Sequence, residues 1–160
     1  MRSIFRPRLV LLAAALTAGL ASAPAGAQRL YDPTANASTA VDSALALARV
    51  DHKRVLLEFG ADWCLDCWVL DRLFHQPAVY PYLRSHYHVV KVDVGQFDRN
   101  LKLVAKYGNA IQGGVPALVV LTPTGQRVVA TSNGEVEAAH NLTAPAVLRL
   151  LQTWATADPP

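Results

Sequence analysis

Apolar residues change their spacing several times along the chain, and each change marks an element. Between Ala40 and Val50 they fall at Val41, Ala44, Leu45 and Ala48, the three-and-four spacing of one helix face. Thr39 is the expected N-cap, with Ser38 nearly as good. Asp51-His52-Lys53 reads as a turn. Arg54 to Phe59 then reads as a strand, whose run Val55-Leu56-Leu57-Glu58-Phe59 is apolar apart from one acid and suits a buried parallel strand. A helix opening at Cys64 continues through Trp68, Val69, Leu70, Leu73 and Phe74 until Pro77 ends or kinks it. Val79 to Ser85 reads as one or two further helical turns and His88 to Val94 as a second buried strand. Asp98 to Tyr107 is the next predicted helix, closed by Gly108. Asn109 to Val115 is a loop, and Ala117 to Leu121, Pro123-Thr124-Gly125 and Arg127 to Thr131 form an antiparallel hairpin. Thr143 to Trp154 is a terminal amphipathic helix with Pro145 tolerated in its first turn.

This order of elements predicts an α/β fold, a central mixed sheet with helices on both faces. There are no repeats and no charge blocks. Gln28 to Thr39 is polar, contains Pro33 and several small residues, and is expected to be a mobile or loosely packed lead-in to a domain at 40–155, with 156–160 as a tail.

The first residues follow a different pattern. Arg2, Arg6 and Arg8 precede the apolar run Leu9 to Leu20, which is short for a membrane span, and Ala25-Gly26-Ala27 supplies the small residues of a cleavage site before Gln28. Residues 1–27 are therefore expected to be a cleaved secretory signal peptide. A site after Ala21-Ser22-Ala23, which would leave Pro24 behind the cut, and an uncleaved anchor are the alternatives. No cysteine follows the run to accept a lipid. Export across an inner membrane places the mature chain in the periplasm, without stable membrane association after cleavage. Cleavage also changes the charge: the leader carries three of the fifteen Lys and Arg residues and no acid, so twelve cations remain against twelve Asp and Glu, and the formal +3 becomes zero. The basic balance thus belongs to the leader and implies no nucleic-acid partner.

The chain has two cysteines, Cys64 and Cys67, three residues apart at the junction of a strand and a helix. A thiol at a helix N-terminus meets unpaired N–H groups and the positive end of the macrodipole, which favour thiolate. A partner nearly one turn on can close a reversible disulfide, and such a pair exchanges two electrons. In an oxidising compartment a structural bridge is the alternative, although so short a loop constrains the unfolded chain little. Half of a zinc site is another, but no second cysteine pair exists to complete it, and His75 on the same helix points away. No metal and no cofactor are expected. His52, His86, His88 and His140 show no ligand spacing.

Four features resemble the thioredoxin fold family: Ala61-Asp62-Trp63-Cys64-Leu65-Asp66-Cys67, the acid Glu58 six residues before the first cysteine, Lys106-Tyr107-Gly108, and Gly114-Val115-Pro116. Together they cover Ala40 to Trp154. The wording Phe59 to Cys64 and the expected export more closely resemble the C-terminal domain of periplasmic thiol:disulfide interchange proteins. The resemblance implies a thioredoxin-like α/β fold and thiol–disulfide oxidoreductase activity. Its partners would be client proteins with disulfides and an upstream thiol donor of electrons. By residue, it implies Cys64 as nucleophile and Cys67 as resolving thiol. Glu58 lies beneath the second cysteine, where the family usually has Asp, and would accept its proton through water. Lys91 faces that acid. Val115 and a cis Pro116 present backbone to an extended client, and Trp63 joins the apolar docking surface.

Each of these residues also has a structural reading. Glu58 could face solvent at a strand edge, and Trp63 could be a half-buried packing residue. Asp62 reads more readily as a solvated loop acid. Asp66, where the common motif has proline, either disfavours thiolate on Cys64, which biases the pair toward reduction or isomerisation of disulfides, or only stabilises the first helical turn. The alternative functions are a redox-inert binding module and a thiol reductant for a metalloprotein or cytochrome assembly client.

Overall fold

The computed structural model describes residues 29–131 and 133–160, so the expected leader lies outside the described residues. Helix α1 spans Ala37–Asp51, β1 Arg54–Gly60, α2 Leu65–Phe74, α3 Tyr80–His86, β2 Tyr87–Asp93 and α4 Leu101–Lys106. Then follow β3 Ala117–Leu121, β4 Arg127–Ala130 and α5 Ala144–Thr156, with short 3-10 turns at Ala110–Gly113 and Ala139–Asn141.

The sheet has the order β2-β1-β3-β4. β1 runs parallel to β2, as its near-continuous apolar run requires, and antiparallel to β3, which forms a hairpin with β4. Alternation along β1 splits the core in two. Val55, Leu57 and Phe59 pack with Val90 and Val92 of β2 against Val41, Ala44, Leu45 and Ala48 of α1 and Leu103 and Val104 of α4. Leu56, with Leu118 and Val120, faces Leu70 and Phe74 of α2, Leu83 of α3 and Val147, Leu151 and Trp154 of α5. Glu58 has the parity of Leu56. It is thereby directed toward α2, the helix that carries the cysteines.

Three expectations change at element ends. α1 begins earlier than Ala40: Asn36, not Thr39 or Ser38, is the N-cap, its side chain accepting from the Thr39 N–H, and Ala37 is buried. α4 begins at Leu101 instead of Asp98. Gly95, Phe97 and Asn100 adopt positive φ, and the Asp98 carboxylate accepts from the Gln96 N–H, so this segment is a turn. The stretch before α5 contains the 3-10 turn Ala139–Asn141, for which the apolar pattern gives no sign. Thr143 caps α5 through the Ala146 N–H, and the helix runs two residues past Trp154.

The largest change concerns the lead-in. Tyr31 is 1% exposed, and the Asp62 carboxylate accepts hydrogen bonds from the backbone N–H groups of Leu30 and Tyr31 at 2.8 and 2.9 Å. The segment expected to be loose is fastened across the end of β1. Asp62, read as a solvated loop acid, is the fastener.

Leu56 and Leu57 are fully buried on opposite faces of β1. Leu56→Ala and Leu57→Ala are each expected to cost about 2–5 kcal/mol of unfolding free energy, read from the denaturant midpoint at unchanged slope.

Candidate active site

β1 ends at Gly60, and the chain turns through Ala61-Asp62-Trp63 into α2. Cys64 is the N-cap of α2 in extended conformation, φ −80° and ψ 107°, and its Sγ accepts the backbone N–H of Cys67 at 3.0 Å. This is the capping geometry in which Ser or Asp oxygen usually serves, with sulfur in its place. A group that caps a helix is stabilised in its anionic form by the same N–H and by the dipole. Cys64 and Cys67 are disulfide-bonded, with Cα atoms 5.3 Å apart.

Cys64 is less accessible than its place at the helix start suggests. It is 4% exposed and Cys67 is fully buried, packed with Tyr31 and flanked by Leu30 and Val115. The Val115 carbonyl oxygen lies 3.5 Å from Cys64 Sγ, and the Val115–Pro116 peptide bond is cis. Trp63 stands at the rim. It is 46% exposed, donates its Nε1–H to the Gly95 carbonyl at 2.7 Å, and lies against Phe97 with ring centroids 5.7 Å apart. Leu65 beside it is 80% exposed. The resulting apolar rim surrounds a covered disulfide.

Beneath the disulfide is a buried polar cluster. Glu58 is fully buried, so the solvent-facing reading of this residue is excluded. Its Oε1 accepts from the Tyr31 hydroxyl at 2.8 Å. Its Oε2 has no hydrogen-bond partner among the described residues and lies 3.9 Å from Lys91 Nζ. The register explains that neighbour: Glu58 and Lys91 are paired on parallel strands and point to the same face. Lys91 is shared, however. Its ammonium is ion-paired more closely with Asp71 of α2, and it also lies 5.7 Å from the centre of the Tyr31 ring. Burying a carboxylate costs several kcal/mol, whereas an ammonium about 4 Å away returns at most about 4 kcal/mol even at an effective dielectric near 20. With that ammonium divided between two acids, desolvation prevails. It pushes the Glu58 carboxyl above the usual carboxylate range, against the opposing effects of Lys91 and Tyr31.

Two members of this cluster escape the sequence reading. Asp71 had a usable signal, since it follows Cys67 by four residues and so shares its helix face. Tyr31 had none, because it sits in a polar stretch before the first periodic segment. Asp66 also behaves differently from its simplest reading. Its Oδ1 accepts both the backbone N–H of His140 at 2.8 Å and the His140 Nδ1–H at 2.7 Å, tying α2 to the turn Ala139–Asn141. Partial desolvation raises its proton affinity, but these two hydrogen bonds prevail and hold it below the ordinary value. Asp66 therefore stays negative near the thiols while bound to His140, a histidine that shows no ligand spacing in the sequence.

Residues 35–123 match the thioredoxin-like family. The chain belongs to that family. A solved structure described as a disulphide isomerase from Xylella fastidiosa Temecula1 is 38% identical and superposes with a TM-score of 0.77, covering 79% of this chain and 97% of that one. The thiol:disulfide interchange protein DsbD 1 of Pseudomonas aeruginosa is 32% identical over 128 residues, which are 76% of this chain and 20% of that protein. The chain thus spans about one fifth of that relative. The C-terminal domain of Neisseria meningitidis DsbD in its reduced form has the same fold, with a TM-score of 0.54 and 22% identity over 72% of this chain and 95% of that one. The fold is thioredoxin-like. No helix among the described residues is long and apolar enough to cross a membrane.

The elevated proton affinity of Glu58 sets a pH dependence of stability. An acid whose folded pKa exceeds its unfolded one stabilises the fold below the unfolded value, and that contribution is lost as pH rises through the folded value. Glu58→Gln is therefore expected to match the wild type near pH ~4 and to be more stable by about 1–3 kcal/mol near pH ~8. Thermal melts across that range measure the divergence. Equal slopes for the two proteins would refute it.

Proposed function

We propose that the protein, a thiol–disulfide oxidoreductase of the thioredoxin-like family, is exported to the periplasm. There it passes electrons from an upstream thiol redox protein to client proteins with disulfides. The observation that carries this reading is the hydrogen bond from the Cys67 N–H to Cys64 Sγ at the start of α2. It supports the reading of Cys64 as the sulfur that is anionic in the reduced form.

In the proposed cycle the Cys64 thiolate attacks one sulfur of a client disulfide. A Cys64–client disulfide forms and the client's other sulfur leaves as a thiolate. Cys67 then loses its proton to Glu58 and attacks Cys64 Sγ, so that the Cys64–Cys67 disulfide forms and the second client sulfur is released. Two electrons pass from the pair to the client, and the upstream donor restores the dithiol by the reverse exchanges. Glu58 serves as the base for Cys67, and Lys91 supports its charge while Asp71 restrains Lys91. Burial brings the carboxylate nearer to the proton affinity of a thiol, which suits it to this exchange.

The client is proposed to lie as an extended segment along Val115 and Pro116 and against Trp63, with Phe97 and Leu65 extending the apolar rim. Asp66 places negative charge near the thiols. This disfavours the Cys64 thiolate of the reduced pair relative to the disulfide and supports reduction or isomerisation over disulfide insertion. Export is supported by the leader pattern and by the likeness to the interchange protein.

Cys67→Ser removes the resolving thiol and leaves the nucleophile. It is expected to accumulate mixed disulfides through Cys64 with exported proteins, visible on non-reducing gels and cleared by dithiothreitol. Cys64→Ser is expected to accumulate none. If Cys67→Ser also forms none, either in cells or with a model disulfide substrate, the pair is a structural bridge.

A further inference from the structure

The base assigned to Cys67 is not in direct contact with it. Three groups meet at the end of β1: the Tyr31 hydroxyl, the Glu58 carboxylate and Cys67 Sγ. Tyr31 donates to Glu58 Oε1 at 2.8 Å. Tyr31 and Cys67 also share one apolar cluster with Cys64. What separates the hydroxyl from the sulfur is the space beside Gly60, where a Cβ would collide with the Tyr31 hydroxyl oxygen and come within 2.8 Å of Cys67 Sγ. The absence of that side chain leaves tyrosine oxygen and cysteine sulfur both bordering one space.

We propose that the Tyr31 hydroxyl is the proton relay between Cys67 and Glu58, taking the place of the water expected from the family resemblance. This rests on the reading of Glu58 as the base for Cys67, and it adds the path. When Cys67 attacks the Cys64 mixed disulfide, its Sγ–H proton passes to Tyr31 Oη. The hydroxyl's own proton passes at the same time to Glu58 Oε1, and the bond from Cys67 Sγ to Cys64 Sγ forms as the client thiolate leaves. Reduction of the pair runs the same path backwards, with Glu58 returning the proton to the departing Cys67 sulfur. Charge and protons balance without any additional reactant.

The surroundings of Tyr31 suit a relay. The side chain is 1% exposed, and the Asp62 carboxylate fixes its backbone N–H, so the hydroxyl is held in place. Burial first, and then the neighbouring Glu58, push its proton affinity far up, so tyrosinate does not accumulate and the hydroxyl passes a proton only as it receives one. Beyond Glu58, a cavity of about 500 Å³ is lined by Glu58, Asp71, His75 and Lys91.

The test uses the reduced protein and dithiobis(nitrobenzoate), whose thiolate product absorbs visibly. Attack by Cys64 gives a first phase that scales with reagent, and resolution by Cys67 gives a second that does not. Tyr31→Phe keeps the ring and removes the hydroxyl. It is expected to slow the second phase about tenfold or more near neutral pH, to make that phase proportional to hydroxide, and to leave the first phase within about twofold. Glu58→Gln is expected to slow the same phase, and the double variant to be no slower than Glu58→Gln alone, because both groups lie on one path. A second phase unchanged in Tyr31→Phe but slowed in Glu58→Gln would overturn the relay and leave the base reading intact. A second phase unchanged in both would overturn the base reading and the relay with it. Slowing by Tyr31→Phe that adds in full to that of Glu58→Gln would show that the hydroxyl acts by another route and would also overturn the relay.

Discussion

The site is organised around one carboxylate buried under a disulfide. Glu58 sits on the central strand of the sheet, fully enclosed, with a single hydrogen bond from Tyr31 and a lysine it shares with Asp71. An acid so placed opposes stability, since a leucine or valine there would continue the run of β1. Its neighbours are arranged around it nonetheless. The parallel register aligns Lys91, α2 contributes Asp71 on the face that carries Cys67, and the segment before the first helix inserts a tyrosine. A group that burdens the fold and collects partners from three separate elements is the usual mark of chemistry, and the chemistry we propose for it is proton management for a thiol.

The oxidised form also covers its reactive sulfur. Cys64 has helical polarisation and an N–H to stabilise its charge, yet Leu30, Tyr31 and Val115 leave it 4% exposed. Electrostatic activation and steric access are thus set by different parts of the chain. The first comes from the strand-to-helix junction, the second from the lead-in and from the loop before β3. The proposed client would have to meet both. The exposed aromatic pair Trp63 and Phe97 sits beside this opening, and Phe97 adopts a positive φ in the turn that replaces the expected start of α4.

Much of this was legible from spacing alone. Periodicity placed every strand and each helix except the two 3-10 turns, and the alternation along β1 followed from its residues. The strand-to-helix junction located the cysteines, and an acid in an apolar strand flagged Glu58. Lys91 depended on the family resemblance, and its pairing with Asp71 required the packing of α2 on the sheet. What escaped was carried by single polar contacts. Asp62 looks like any loop acid until two backbone N–H groups converge on it. Tyr31 is one aromatic residue among polar and small ones, and nothing periodic points to its burial. Asn36 outcompetes Thr39 and Ser38 as a cap because Ala37 packs into the core, and short-range preference does not encode that contact.

The clasp between Asp62 and the lead-in separates two boundaries that usually coincide. By its helices and strands, the domain starts at α1; by its buried polar groups, it starts six residues sooner. A chain trimmed to the first helix would keep the whole sheet and both cysteines. It would nevertheless remove the one hydrogen-bond donor to Glu58 among the described residues and unroof the disulfide at the same stroke, leaving a fold recognisable in outline with an altered interior.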